Sequence, residues 1–174
     1  MPPSIIKDPK LAPEGQRKIR WVEQHAAVLN AVWEKYLNDG TLRGVNVGVC
    51  VPLEAKTAYL AWLLHEAGAE VTVTGSNPNS TQDAVAAALV KRGLCVHAIR
   101  GATPEAFDQH LLATLDSSQP ELVIDDGAEL ITRLHQLHQQ RPQLLADVRA
   151  GSEETTSGVI RLRAMEREGA LKFP

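Results

Sequence analysis

The sequence is poor in cysteine, in aromatic residues and in long apolar runs, and each shortage excludes something. Two cysteines, Cys50 and Cys95, occur without any Cys-x-x-Cys pair. Both sit inside apolar, strand-like runs, so they read as buried inert thiols and not as a disulfide framework or a metal site. No apolar stretch approaches the ~20 residues a membrane-spanning helix needs, and the start, Met1-Pro2-Pro3-Ser4, lacks the charged-then-apolar pattern of a secretory signal. The reading is a cytoplasmic protein with no membrane partner. Net charge is −3 with no basic run, which argues against nucleic acid as a partner. Gly-x-Gly-x-x-Gly, Gly-x-Ser-x-Gly and the phosphate-binding loop are all missing, so the chain carries no dinucleotide-binding turn or serine elbow of its own.

What is present is a chain of 174 residues, 44% hydrophobic and 22% charged, long enough to bury a single sizeable core and read here as one domain over 1–174. Residues 1–12 carry three prolines and read as an ordered or frayed leader. Helical spacing of Ile19, Val22, Ala26, Leu29, Val32, Trp33 and Tyr36 predicts a helix over 14–36, closed by Asn38-Asp39-Gly40. Strands follow at 45–51, 69–74, 94–99 and 121–124, separated by helices at 53–67, 80–92 and 103–115. Further helices are predicted over 128–139 and 142–148, and a last one leaves the Ser152 segment and ends near Gly169. Strands that are β-branched and apolar on both faces, alternating with one-sided helices, predict an α/β fold: a doubly wound three-layer sandwich, a mainly parallel sheet with helices on both faces.

Such folds bind ligands at the carboxyl ends of their strands. Leu122-Val123-Ile124-Asp125-Asp126-Gly127 ends a strand with two carboxylates, of which the pleat sends one toward the cleft and leaves the other to cap or hold a loop. Adjacent carboxylates repel, which is one way an acid–base group is tuned; the plainer reading is a turn and a helix cap. Ser80-Thr81-Gln82-Asp83 fits a capping box with Ser80 as N-cap, leaving Thr81 and Gln82 to face a ligand. Gly151-Ser152-Glu153-Glu154-Thr155-Thr156-Ser157-Gly158 reads as a helix start capped by Ser152, and its hydroxyls and free N–H groups serve equally well as a surface for a polar ligand. His135-x-x-His138 has helical spacing, but its Gln-rich surroundings read as a solvated face with no acidic third ligand, so no metal is assigned. Trp21, Trp33 and Trp62 read as core or interface residues.

Taken together and in order, Ser80-Thr81-Gln82-Asp83, Asp125-Asp126-Gly127, Ser152-Glu153-Glu154-Thr155-Thr156-Ser157-Gly158 and the closing Gly169-Ala170-Leu171-Lys172-Phe173-Pro174 resemble the N-terminal, substrate-binding part of S-adenosylhomocysteine hydrolase, from about Lys7 onward. In that family tightly held NAD oxidises the ribose 3′-hydroxyl and so acidifies the 4′ proton; homocysteine is eliminated, water adds, and the ketone is reduced back. The resemblance implies Asp126 as an acid–base carboxylate near the sugar and Glu154 as a carboxylate binding the ribose hydroxyls. It implies Glu54, Thr57 and Gln82 on the substrate side, and Thr155, Thr156 and Ser157 toward the nicotinamide end of the cofactor. It further implies a small nucleoside or thioether as ligand, a homo-oligomer, and completion by a second chain or segment bearing the NAD domain, which this sequence does not contain.

Three departures stand out. Where the family has Leu-His-x-Thr after its first strand, this chain has Val51-Pro52-Leu53-Glu54, so Pro52 replaces the catalytic histidine and Glu54 the threonine. A Met-Pro pair of the first helix is Ala26-Ala27 here, and the lysine and aspartate that complete the family's sugar site lie beyond Pro174. Without a hydride acceptor a ribose 4′ proton is too weakly acidic for a carboxylate to remove, so the chemistry belongs to the cofactor. Three expectations follow: an enzyme's substrate domain that is inactive alone, a stand-alone nucleoside- or thioether-binding sensor module, and, more weakly, an interaction protein with a relic cleft.

Overall fold

The computed structural model describes residues 3–174. Among them the chain forms β1 (Ile5–Ile6), α1 (Ala12–His25), α2 (Ala27–Val32), β2 (Asn46–Val51), α3 (Ala55–Glu66), β3 (Glu70–Gly75), α4 (Asp83–Lys91) and β4 (Cys95–Ala98). It continues through α5 (Pro104–Ser118), β5 (Leu122–Asp125), α6 (Glu129–Leu137), α7 (Pro142–Ala146), β6 (Ala150–Glu153) and α8 (Thr156–Arg167). The described strands make one sheet in the order β1-β4-β3-β2-β5-β6, with every pair parallel. The predicted α/β sandwich is therefore the fold. From β2 the chain winds outward through β3 and β4, then returns to place β5 on the other side of β2. The order reverses there, and the crevice at the carboxyl ends of β2 and β5 is the topological switch point.

The pleat of β2 divides the core. Val47, Val49 and Val51 pack with Ile19 and Val22 of α1, Leu63 and Leu64 of α3, and Val85 and Leu89 of α4. Cys50 points to the opposite face, where Leu111 and Leu115 of α5, Leu130, Ile131 and Leu134 of α6, and Phe173 form a second cluster. Gly48 shares that second face, and a Cβ there would press on Pro120 at 3.4 Å, so its small size sets how closely the end of α5 approaches the sheet. Cys50 and Cys95 are both buried, and neither is in a disulfide. Among the described residues, no helix is long and apolar enough to cross a membrane.

Four local expectations change. The N-terminal stretch, read as a leader, contributes Ile5 and Ile6 as an edge strand on β4; two residues are too few for a period to show. The helix expected over 14–36 breaks at Ala26 (φ −85°, ψ 60°). The break is stabilised by tertiary contacts: Asn30 Nδ2 donates to the Glu23 carbonyl at 2.9 Å, and Tyr59 donates its hydroxyl proton to Asn30 Oδ1 at 2.9 Å. Ser80 does not cap α4. That helix starts at Asp83 with Gln82 at the N-cap, while the Asp83 carboxylate accepts the Arg100 N–H at 2.8 Å and pairs with Lys7 at 3.3 Å. Ser152 does not cap α8, because residues 150–153 are drawn into the ladder as β6 and the helix begins after Thr155. Of the tryptophans, Trp33 and Trp62 pack against the first core cluster, whereas Trp21 is 62% exposed.

Two strained or desolvated groups give measurable consequences. Gln119, after α5, sits at φ 40° and is exposed, a left-handed conformation that costs an L-residue with a side chain ~1 kcal/mol. Gln119→Gly is expected to raise stability by about that amount, read as a higher urea midpoint at unchanged slope. His97 on β4 is 2% exposed; its Nε2 contacts Ser117 Oγ at 2.9 Å and Cys95 Sγ at 3.4 Å, while Nδ1 is buried without a hydrogen-bond partner. Burial, followed by the neighbouring His110, pulls its pKa from 6.5 down to about 4. The folded state holds His97 neutral, so stability is full above pH 6.5 and falls as pH drops toward 4, by up to about 3 kcal/mol. Urea titrations across that window check this: relative to His97→Asn, the parent is expected to lose stability progressively on acidification.

Candidate functional site

The site is built by strand ends. Asp125 pairs in register with Glu153, and the ladder runs one step further because the Glu154 N–H donates to the Asp125 carbonyl at 3.1 Å. Asp126 and Glu154 are thus level on neighbouring strands, and continuing the pleat puts them on the face opposite Asp125 and Glu153.

The inner pair is structural. Asp125 is fully buried: its Oδ2 accepts the Ile131 N–H at 2.9 Å, and its Oδ1 accepts the Asp126 N–H at 3.0 Å. Burial raises its pKa from 3.8 to about 6 against the pull of those bonds. Glu153 takes the Gly127 N–H on Oε1 at 2.8 Å and the Ala128 N–H on Oε2 at 2.7 Å. Its Oε1 also accepts the Thr155 N–H at 2.8 Å and the Thr155 hydroxyl at 2.7 Å. Burial pushes the Glu153 carboxyl up, but the bonds from Thr155, Gly127 and Ala128 outweigh it and hold it below 4.5. Gly127 and Ala128 both have positive φ (83° and 59°), which turns their N–H groups toward one carboxylate. One glutamate therefore clamps the loop carrying Asp126 to the loop carrying Glu154.

The outer pair faces the cleft edge. Half-buried Asp126 accepts the Ser76 hydroxyl on Oδ2 at 3.1 Å. Glu154 is exposed, and its pKa is raised by burial of its carboxyl first, then by Asp126 and Glu153, with Lys56 opposing. Thr155 caps α8: its Oγ1 accepts the Gly158 N–H at 3.1 Å and the Gly127 N–H at 3.1 Å while donating to Glu153. Thr156 and Ser157, by contrast, stand exposed in the first turn.

Of the remaining candidates, Glu54 and Gln82 lie on a neighbouring groove of about 560 Å³, lined also by Lys18, Trp21, Val22, Ala55 and Lys56. Glu54 pairs with Lys56 at 3.3 Å, and Gln82 Oε1 accepts from Lys18 at 3.1 Å. Thr57 is turned inward: its hydroxyl donates to the Pro52 carbonyl and accepts the Glu54 N–H at 3.2 Å, which fixes the start of α3. The structure therefore brings Asp126 together with Glu154 and Glu54 together with Gln82; it commits the Thr57 hydroxyl to the backbone and the Thr155 hydroxyl to Glu153 and two backbone N–H groups. Lys56 connects the two groups, paired with Glu54 and acting electrostatically on Glu154. Neither Lys56 nor Ser76 stands out in the sequence, since the effect of Lys56 on Glu154 and the bond of Ser76 to Asp126 both join residues distant in the chain. His135 serves the C-terminal strap, its Nδ1 against the Ile131 carbonyl at 2.7 Å and its Nε2 accepting the Lys172 N–H at 3.2 Å.

A family model described as S-adenosyl-L-homocysteine hydrolase matches residues 3–147. The S-inosyl-L-homocysteine hydrolase of Methanocaldococcus jannaschii is 50% identical over 169 residues, covering 97% of this chain and 40% of the relative. The adenosylhomocysteinase of Aquifex aeolicus is 47% identical over 170 residues, again 97% of this chain and 40% of the relative. That of Archaeoglobus fulgidus is 48% identical over 161 residues, 92% of this chain and 39% of the relative. The chain spans about 40% of the length of these curated relatives. A match of this extent and identity has one conclusion: the chain belongs to the S-adenosyl-L-homocysteine hydrolase family.

Proposed function

We propose that this chain is a substrate-binding domain that holds the nucleoside of an S-adenosylhomocysteine-type thioether for NAD-dependent hydrolysis and needs a cofactor-bearing segment or second chain to react. The observation that carries the reading is the level placement of Asp126 and Glu154 at the ends of β5 and β6, beside the switch point of the sheet and fixed by the Glu153 clamp. In this reading Glu154 accepts hydrogen bonds from the ribose hydroxyls, and Asp126 holds or takes a proton near the sugar. Thr156 and Ser157 fit a role toward the nicotinamide end of NAD, being exposed hydroxyls at a helix start, whereas the Thr155 hydroxyl is already committed. NAD, when bound, supplies the hydride acceptor that the protein's own groups lack. A small-molecule ligand and a homo-oligomeric cytoplasmic assembly complete the proposal.

Two observations bear on its variants. The relatives carry both S-inosyl and adenosyl names at similar identity, so the base is either hypoxanthine or adenine. Pro52 carries no proton-transferring group at the position of the family histidine, which favours a second reading: a binding module that senses or sequesters a nucleoside without turnover. Calorimetric titration of the 174-residue chain with adenosine, inosine and S-adenosylhomocysteine, with and without NAD, tests both. Micromolar binding without turnover is expected. Absence of binding by all three ligands under both conditions overturns the substrate-domain reading for this chain.

A further inference from the structure

We infer that Ser76 is the positioning residue of the Asp126 carboxylate; the inference rests on the functional reading above in treating Asp126 as a ligand-facing group. Ser76 follows β3 and Asp126 follows β5, and β2 lies between these strands. The bond from Ser76 Oγ to Asp126 Oδ2, 3.1 Å long, therefore spans the end of the central strand. Continuing the register of Val51 with Gly75 puts Pro52 level with Ser76. Proline has no N–H and no polar side-chain atom, so β2 ends here without a donor of its own for the carboxylate.

Both ends of the bridge are fixed by the backbone. The Ser76 N–H donates to the Val51 carbonyl at 3.0 Å, and the Asp126 N–H donates to Asp125 Oδ1 at 3.0 Å. Both residues are half-buried. In this bond the serine hydroxyl donates its proton and the carboxylate oxygen accepts. The bridge also opposes a specific force. Asp126 is one of the groups that raise the Glu154 pKa, so the two carboxyls stand close enough for like charges to repel. Lys56 provides an opposite charge for Glu154, and the Ser76 hydroxyl restrains Asp126. With Oδ2 held, Oδ1 is the oxygen presented to a ligand hydroxyl.

The test reads the orientation of Asp126 directly. In the 174-residue chain, three-bond Hα–Hβ and N–Hβ couplings of Asp126 are measured for the parent, Ser76→Ala and Ser76→Thr, with adenosine and inosine titrations on the same samples. The parent and Ser76→Thr are expected to show one large and one small Hα–Hβ coupling, the mark of a single χ1 rotamer. Ser76→Ala is expected to show two averaged couplings, an amide spectrum otherwise unchanged away from the site, and about tenfold weaker nucleoside binding, as follows from losing one hydrogen bond to a charged group. Identical Asp126 couplings in the parent and Ser76→Ala overturn the inference, as does an averaged rotamer with undiminished affinity. If the parent binds neither nucleoside, the functional reading fails, and the couplings still decide whether Ser76 positions Asp126.

Discussion

Glu153→Ala is expected to lower the stability of this domain by about 3 kcal/mol, although neither sequence pattern nor exposure marks Glu153 as a core residue. Its carboxylate receives four hydrogen bonds from three residues, Gly127, Ala128 and Thr155. Charge-assisted bonds of this kind contribute ~1.5–3 kcal/mol each when dry. Glu153 is only half-buried, so water replaces part of the loss and the total is well below the sum. The truncation also releases two residues held at positive φ, so the loops after β5 and β6 lose their common anchor. Gly158 belongs to the same device: a Cβ there would run into the Glu153 carboxylate, so Gly158→Ala is expected to act in the same direction. Urea unfolding of the parent and Glu153→Ala checks the magnitude, and a loss under about 1 kcal/mol would mean that solvent substitutes for the clamp. The pH dependence has a definite sign. The folded Glu153 pKa lies below its ordinary 4.5, so its contribution is complete above that value and is lost as pH falls through the folded pKa.

Glu154→Ala is expected to do the reverse, leaving stability within about 0.5 kcal/mol while weakening nucleoside binding by about 10- to 100-fold. The side chain is exposed, and its ties to the rest of the site are the charges of Asp126, Glu153 and Lys56 acting on its carboxyl. A charged acceptor for ribose hydroxyls, if removed, forfeits bonds of ~1.5–3 kcal/mol. Because burial, Asp126 and Glu153 raise the Glu154 pKa, the acceptor form is lost on acidification sooner than for an ordinary glutamate. Binding is therefore expected to weaken as pH falls, beginning above the usual 4.5, and Lys56→Met should move that onset higher still by removing the opposing cation. Calorimetry from pH 4 to 8 on the parent and both variants reads all of this. Unchanged affinity in Glu154→Ala would remove Glu154 from the ligand site.

The contrast between these adjacent glutamates shows how far the sequence reading reached. By local pattern Ser152-Glu153-Glu154 read either as the acidic first turn of a capped helix or as part of a ligand surface, and only the family resemblance set Glu154 apart. The local code was plausible and lost to the sheet: a ladder with β5 satisfies the backbone of residues 150–153, and once they are extended, the pleat sends Glu153 inward and Glu154 outward. The Asp125-Asp126 pair was legible because a strand was expected there, so the two-residue period already sent one carboxylate toward the cleft and left the other to hold the loop. Thr57 and Thr155 looked free in sequence, and only backbone geometry shows their hydroxyls taken. Ser76 could not be found from local spacing, since its partner stands 50 positions away, and the effect of Lys56 on Glu154 is equally non-local although its ion pair with Glu54 is not.

By itself the sequence determined the alternation of strand and helix, the parallel sheet buried on both faces, and the family, because hydrophobic period and contiguous motifs are local properties of the chain. The tertiary structure decided which helix starts exist, where the first helix breaks, that two N-terminal residues form an edge strand, and which of two neighbouring carboxylates faces outward. Each of those depends on which backbone and side-chain groups meet across the sheet, and a hydrogen bond between distant residues outweighs a local preference worth ~1 kcal/mol.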